Sequence, residues 1–260
     1  MIDFKVFKSS LLDKTNGVYH AFFTRKGGVS KGVYASLNCS YVLDDKNVDV
    51  QENRRRAAAY LYSTQSDIIT AHQIHGSGVV VVNSHYGISH SVKADSLVTK
   101  IPNLAIGVLT ADCAPVLFAD HEAKIIAATH AGWRGIKLGI LEKTLTTMEI
   151  LGAKRHRICA VIGPTIHQPN YQVSYKFKME FLHLDPDNIR FFYSLIQNGK
   201  ILFDLPGLCY KILKSESVGF IDNLGQCTYS NDSLFYSHRR AQHTSEICCG
   251  RQLSAIIISP

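Results

Sequence analysis

The sequence predicts an α+β protein: a single domain, 1–260, of mixed β-sheets flanked by helices. Three observations carry that expectation. Strand-like and helix-like segments alternate along the chain. Several strand-like runs are apolar at every position, which calls for cover on both faces of a sheet. No repeat, low-complexity tract or Pro/Ser-rich linker divides the chain. Its 260 residues are enough to bury a substantial core.

The elements follow in order. HAFFTR (20–25) is a strand, and KGGVSKG after it makes a turn. A helix is expected over 49–62, where good helix formers predominate and Asp49 followed by Glu52 resembles a capping box. Strands are then expected at 78–82, 104–109, 115–119 and 124–129, the last three as near neighbours in one sheet core. A long helix over 136–151 follows. Leu138, Leu141, Leu145 and Met148 step by three and four on one face, and Gly152 ends it. A strand at 157–163, helices at 173–183 and 205–215, and a last strand at 253–259 complete the reading.

Composition bounds the function. The apolar fraction of 46% is ordinary for a folded protein. No apolar run approaches the roughly 18 residues that a membrane helix needs, so no membrane partner is expected. The N-terminus shows no secretion signal. Seven cysteines without a C-x-x-C pair argue against a disulfide framework and a zinc ribbon. A reducing, cytoplasmic setting is the expectation. The net charge of +7 attracts anions. Basic residues cluster at 54–56, 154–157 and 238–240, but no nucleic-acid module accompanies them. A phosphate-bearing small substrate or a solvated face accounts for the charge, and no nucleic-acid partner is expected.

Three segments concentrate the chemistry: AHQIHG (71–76), TADCAPV (110–116) and THAGWRG (129–135). They set His75, Cys113 and His130 at the ends of strand-like runs. Two imidazoles and a thiolate suit a zinc ion that keeps one coordination position open. Taken singly, each residue has a plainer reading. His72 competes with His75, Cys113 can be a small core hydrophobe, and His130 can simply end a tight strand-to-helix turn around Trp133. Asp112 and Pro115 favour a strand-end loop at Cys113, where functional residues gather. Gly132 and Gly135 allow a ligand to come close beside Arg134.

With these segments in order, the chain resembles the laccase-domain, or polyphenol oxidase, family, whose YfiH-like members are also described as zinc-dependent purine nucleoside phosphorylases. The likeness continues in AFFTRKGGVSKGVYASLN (21–38), Glu52-Asn53-Arg54, ADSLVT (94–99), IGPTI (162–166), FYSHRR (235–240) and GRQLSAIII (250–258). The resemblance implies a layered α/β/β/α fold and the metal ligands His75, Cys113 and His130. It implies phosphorolysis of adenosine, inosine and guanosine, cleavage of methylthioadenosine, and deamination of adenosine. Purine nucleoside and phosphate are then the partners; the oligomeric state stays open. In that scheme Cys113, His130, Arg54 and Asp112 are the catalytic candidates. Arg54 and Arg134 would meet phosphate, Asn53 and Arg134 would bind substrate, and Asp112 would shuttle protons. Thr165, Gln172, Cys39-Ser40 and His238 depart from the family pattern, none of them at a ligand position.

Copper is the alternative cofactor, since His₂Cys is also the equatorial set of blue copper. The chain has no H-x-H for a trinuclear copper centre and only three methionines to supply an axial ligand. Rival functions are a copper-dependent phenol oxidase, a metal-free hydrolase using Cys113 and His130 as nucleophile and base, and a non-catalytic binding protein.

Overall fold

A computed structural model describes residues 4–63, 67–84, 92–195, 199–246 and 248–259. Two large sheets are stacked face to face. The first contains, in spatial order, β1 (Val6–Phe7), β2 (Val18–Phe23), β13 (Gln252–Ile258) and β5 (Ile106–Thr110), all antiparallel. The second runs β12 (Phe220–Asn223), β8 (Cys159–Ile162), β6 (Ala114–Asp120), β7 (Ile125–Ala131), β4 (Ser96–Thr99) and β3 (Val79–Val81). It is mixed: its outermost pairs, β12–β8 and β3–β4, are parallel and the others antiparallel. A small antiparallel sheet joins β10 (Phe192–Ser194), β11 (Ile201–Phe203) and β9 (Gln172–Val173).

Helices complete the layers. They are α1 (Ser10–Asp13), α2 (Asn47–Tyr60), α3 (Trp133–Lys137), α4 (Ile140–Ile150), α5 (Tyr175–Leu184), α6 (Leu205–Ser215) and α7 (His238–His243). Side chains of a strand alternate between faces, and the cores obey this. Phe22, Val108, Leu117, Ile126, Val161 and Ile256 fill the space between the sheets. Ala21, Phe23, Ala255 and Ile257 point the other way and pack with Ala57, Ala58 and Leu61 at α2. Val116 and Phe118 face Leu141, Leu145 and Met148 of α4 and Leu208 and Ile212 of α6. The order is α/β/β/α, in a single mixed α and β domain. Strands apolar throughout are thus explained by cover on both faces, in sheets that are largely antiparallel.

Three expectations are corrected. The segment at 104–109 does not join the sheet of 115–119 and 124–129. β5 pairs with β13 and faces β6 and β7 across the interior, because the chain crosses between sheets at 110–113, where Asp112 has φ +91°. The helix at 136–151 is two helices, interrupted where Gly139 has φ +77°, and Leu138 at the break is 56% exposed. The helix expected from Asp49 begins at Asn47 with Lys46 as its cap residue. Asp49 therefore lies in the first turn, where it suits the helix dipole rather than capping it.

Candidate metal centre

The register of the second sheet builds the centre. β4 is antiparallel to β7 with Ser96 opposite Thr129, and one step further Asp95 stands opposite His130. β6 is antiparallel to β7 with Pro115 opposite His130, and the continuation brings Cys113 across from Gly132. The loop before β3 carries His75 to the same end of the sheet. Three segments distant in sequence therefore meet at one rim. The side-chain donor atoms of His75, Cys113 and His130 all lie within 4.8 Å of one another. The imidazole rings of His75 and His130 meet edge to face at 4.8 Å.

The backbone is fitted to this convergence. His75 has φ +57°, the left-handed region, which turns its side chain back over the rim. A Cβ at Gly132 would stand 3.0 Å from Cys113 Sγ and 3.2 Å from the His75 ring. One at Gly135 would meet the Gly76 carbonyl at 2.7 Å. Glycine at both positions lets the start of α3 close down on the three donors. Gln73 fixes the loop to the other sheet: its amide donates to Leu109 O at 2.7 Å and accepts from Leu109 N at 2.8 Å.

Electrostatics favour a thiolate. Burial opposes ionisation of Cys113, but the charge and hydrogen bonds of His130, helped by His75, pull the thiol well below its ordinary range. Burial equally disfavours a charged His130, yet Cys113 and Asp95 hold that imidazole up. Burial also opposes Asp95. The bond to His130 and the N–H groups of Gly76 and Ile74 outweigh it and keep Asp95 ionised. His130 Nδ1 is 2.8 Å from Asp95 Oδ1, leaving Nε2 for the donor set. A thiolate, two imidazoles and a carboxylate behind one of them form a set that fits a soft or borderline divalent metal.

A cavity of about 590 Å³ opens over this floor. Trp133 and Tyr171 give it aromatic walls, Arg134, Arg239 and Arg251 make it cationic, and His238, whose pKa burial lowers, adds a neutral imidazole. Arg134 is exposed, with its guanidinium 5.0 Å from the Trp133 ring. Arg239 lies 5.3 Å from the Tyr171 ring and donates to Gln172 O at 2.8 Å. His72 also lines the cavity but stands outside the donor cluster.

Two other expected site residues stand elsewhere. Arg54 is 1% exposed and does not line the cavity. Its guanidinium binds Asp67 at 2.7 Å, the carbonyls of Cys39 and Ile68, and Thr70. Asn53 is fully buried, joining Val29 N, Ser30 Oγ and the carbonyls of Ser36 and Asn38. Both tie α2 to neighbouring loops. Asp112 does line the cavity, but its carboxylate accepts from Thr228 Oγ1 and Arg239 N, each at 2.7 Å. Asp95, Tyr171, His238, Arg239 and Arg251 received no individual role from the sequence. Asp95 is the second residue of ADSLVT, and FYSHRR supplies His238 and Arg239, so their motifs were the available signal.

Among solved structures, a Neisseria meningitidis protein, NMB0706, is 31% identical and superposes with a TM-score of 0.85 over 99% of each chain. The YfiH protein of Bacillus licheniformis is 29% identical, with a TM-score of 0.86 over 95% of each. A purine nucleoside phosphorylase of Rickettsia conorii is 34% identical over 241 residues, covering 93% of this chain and 96% of its own. One from Deinococcus radiodurans is 38% identical over 226 residues, covering 86% and 84%. The sequence profile described as multi-copper polyphenol oxidoreductase laccase matches residues 19–259, and the chain belongs to that family.

Proposed function

We propose that the chain is a zinc-dependent purine nucleoside phosphorylase that also deaminates adenosine. The observation that carries this reading is the convergence of His75, Cys113 and His130 on the floor of a cationic, aromatic-walled cavity. The names of its relatives support the phosphorylase part. In phosphorolysis a phosphate oxygen bonds to C1′ of the ribose, the bond from C1′ to the purine nitrogen breaks, and the base leaves with a proton. Trp133 and Tyr171 offer faces for the purine, with Arg134 stacked on Trp133 at the opening. Arg134, Arg239 and Arg251 supply charge for the phosphate and for the negative charge that develops in the transition state. Arg54 and Asn53, buried away from the cavity, are assigned to the scaffold. Asp112 is assigned to holding α7, whose first two residues are His238 and Arg239.

His75, Cys113 and His130 are the residues that hold the metal. When bound there, zinc supplies a Lewis acid and water made acidic at neutral pH, the chemistry that deamination of adenosine needs. Zinc suits a thiolate with two imidazoles. Met148 and Met179, the described methionines, do not line the cavity, so neither supplies the axial thioether of a blue-copper site.

The test is incubation of the purified chain with adenosine and inosine, with and without phosphate. Chromatography identifies the products, and bound metal is measured on the same sample. Free base released only with phosphate, by protein carrying zinc, is the expected result. Oxidation of phenols that stops without oxygen favours the copper reading. Activity that survives complete metal removal favours a Cys113–His130 hydrolase. No turnover under any condition leaves a binding protein.

A further inference from the structure

We propose that Asp95 is the positioning residue that assembles the centre: one buried carboxylate clamps both histidine ligands, setting the nitrogen of one and the backbone of the other. This rests on the reading that the triad holds a metal. The Asp95 side chain is fully buried. Its Oδ1 accepts from His75 N at 2.9 Å and lies 2.8 Å from His130 Nδ1. Its Oδ2 accepts from Gly76 N at 2.7 Å and Ile74 N at 3.3 Å. Its carbonyl accepts from His130 N at 2.7 Å.

Each contact has a separate consequence. Three successive N–H groups, at 74, 75 and 76, close on one carboxylate, and this holds His75 in its left-handed conformation against a cost of order 1–3 kcal/mol. The bond to His130 Nδ1 requires a proton there, so Nε2 presents its lone pair to the donor set. The strand register fixes the distance between the two effects, because Asp95 is opposite His130 in the β4–β7 pair. A ligand loop and a ligand strand thus share one anchor, and neither histidine can shift without loosening the other.

Asparagine at this position is isosteric but cannot reproduce the clamp. All the groups facing both oxygens are donors in the ligating tautomer. Wherever the amide NH₂ points, it confronts either the His75 N–H and His130 or the N–H groups of Ile74 and Gly76. Turned toward His130, it also favours the tautomer with the proton on Nε2, which removes the ligand lone pair.

The experiment compares zinc affinity, by competition with a chromophoric chelator, in wild type, Asp95→Asn and Asp120→Asn. Asp120 is an equally buried carboxylate, bonded to Lys154 N, Ala123 N and Arg157 away from the centre. Zinc binding roughly 10- to 100-fold weaker in Asp95→Asn, with Asp120→Asn unchanged even if less stable, supports the clamp. Equal affinity in Asp95→Asn and wild type overturns it and leaves the triad standing. A wild type that takes up no zinc at His75, Cys113 and His130 brings down the metal reading and the clamp together. Should Asp95→Asn not fold, nitrogen NMR of zinc-loaded wild type decides. A proton on His130 Nδ1 with the metal on Nε2 supports the clamp, and the reverse arrangement overturns it.

Discussion

Two small residues at the centre make different demands, and substitution separates them. Cys113 is the only sulfur donor in the cluster. Replacing it by alanine removes a ligand and a charge that lowers the acidity of the metal. Bound zinc and nucleoside cleavage should both fall to background. The fold should persist, because the core between the sheets does not include Cys113. Metal analysis and turnover at equal folded concentration, checked by circular dichroism, decide the matter; wild-type rates in Cys113→Ala would remove its catalytic role. Gly132 has φ −77° and ψ 161°, a conformation alanine adopts freely. Its Cβ would nevertheless crowd Cys113 Sγ and the His75 ring. Gly132→Ala should therefore weaken zinc binding while the unfolding midpoint scarcely moves. Gly152 is the converse: it has open space around it but φ +115°, so Gly152→Ala should cost about 1–3 kcal/mol in denaturant unfolding and leave metal affinity alone. If the two variants do not divide in this way, close approach is not what glycine supplies at 132.

At the scale of elements, α7 is held at the cavity by hydrogen bonds from its own cap and from other segments. Ser237 Oγ accepts from Arg240 N at 3.2 Å, and Asp112 Oδ2 accepts from Arg239 N at 2.7 Å. Arg240 turns inward and donates to the carbonyls of Thr228, Tyr229 and Phe235. His238 and Arg239 are left at the cavity. Asp112→Asn keeps a side chain that tolerates positive φ, but its amide cannot accept from both Thr228 and Arg239. The expected cost is about 1–2 kcal/mol of stability. The phosphate concentration needed for half-maximal rate should rise, with zinc content unchanged. A fall in zinc content with unchanged phosphate dependence would place Asp112 with the metal instead. Elements were legible from the sequence where the signal is local. The helix at 205–215 was found at its bounds, Leu205–Ser215, and the apolar runs at 115–119 and 124–129 became the paired β6 and β7. The three donors were legible because each ends such a run inside a specific motif. What depends on pairing was hidden. Asp95 meets His130 only through strand register, 35 residues apart. The partners of Arg54 and Asn53 were hidden for the same reason, because the carbonyls that bind them come from separate loops. β5 was placed in the wrong sheet because an apolar run reports burial on both faces without saying which neighbour covers it.

For the whole molecule, the question is how the two sheets are locked together. His20, on β2, points into the layer between them with Phe22 and is fully buried. Its Nε2 accepts from Ser9 N at 2.9 Å; Ser9 caps α1, and its hydroxyl donates to Asp222 of β12 in the other sheet. The neutral ring therefore carries its proton on Nδ1, which is 3.7 Å from Asp13 and makes no hydrogen bond. Burial pushes the His20 pKa down from 6.5 to about 4; Asp13 opposes the fall and Lys8 adds to it. Below pH 6.5 the unfolded chain takes up a proton that the folded chain refuses, so stability is complete above that value. It is lost as pH falls toward 4, where the folded state begins to accept the proton. By linkage the loss reaches about 2 kcal/mol at pH 5 and about 3 kcal/mol at the low end. Other histidines and carboxylates titrate in the same range, so the measurement is a difference. Urea unfolding of wild type and His20→Gln is followed from pH 7.5 to 4.5. Glutamine retains an acceptor for Ser9 N but has no proton to bind, so its profile should be the flatter one by about 2 kcal/mol at pH 5. Parallel profiles would show that protonated His20 is accommodated and that a neutral ring is not what this junction requires.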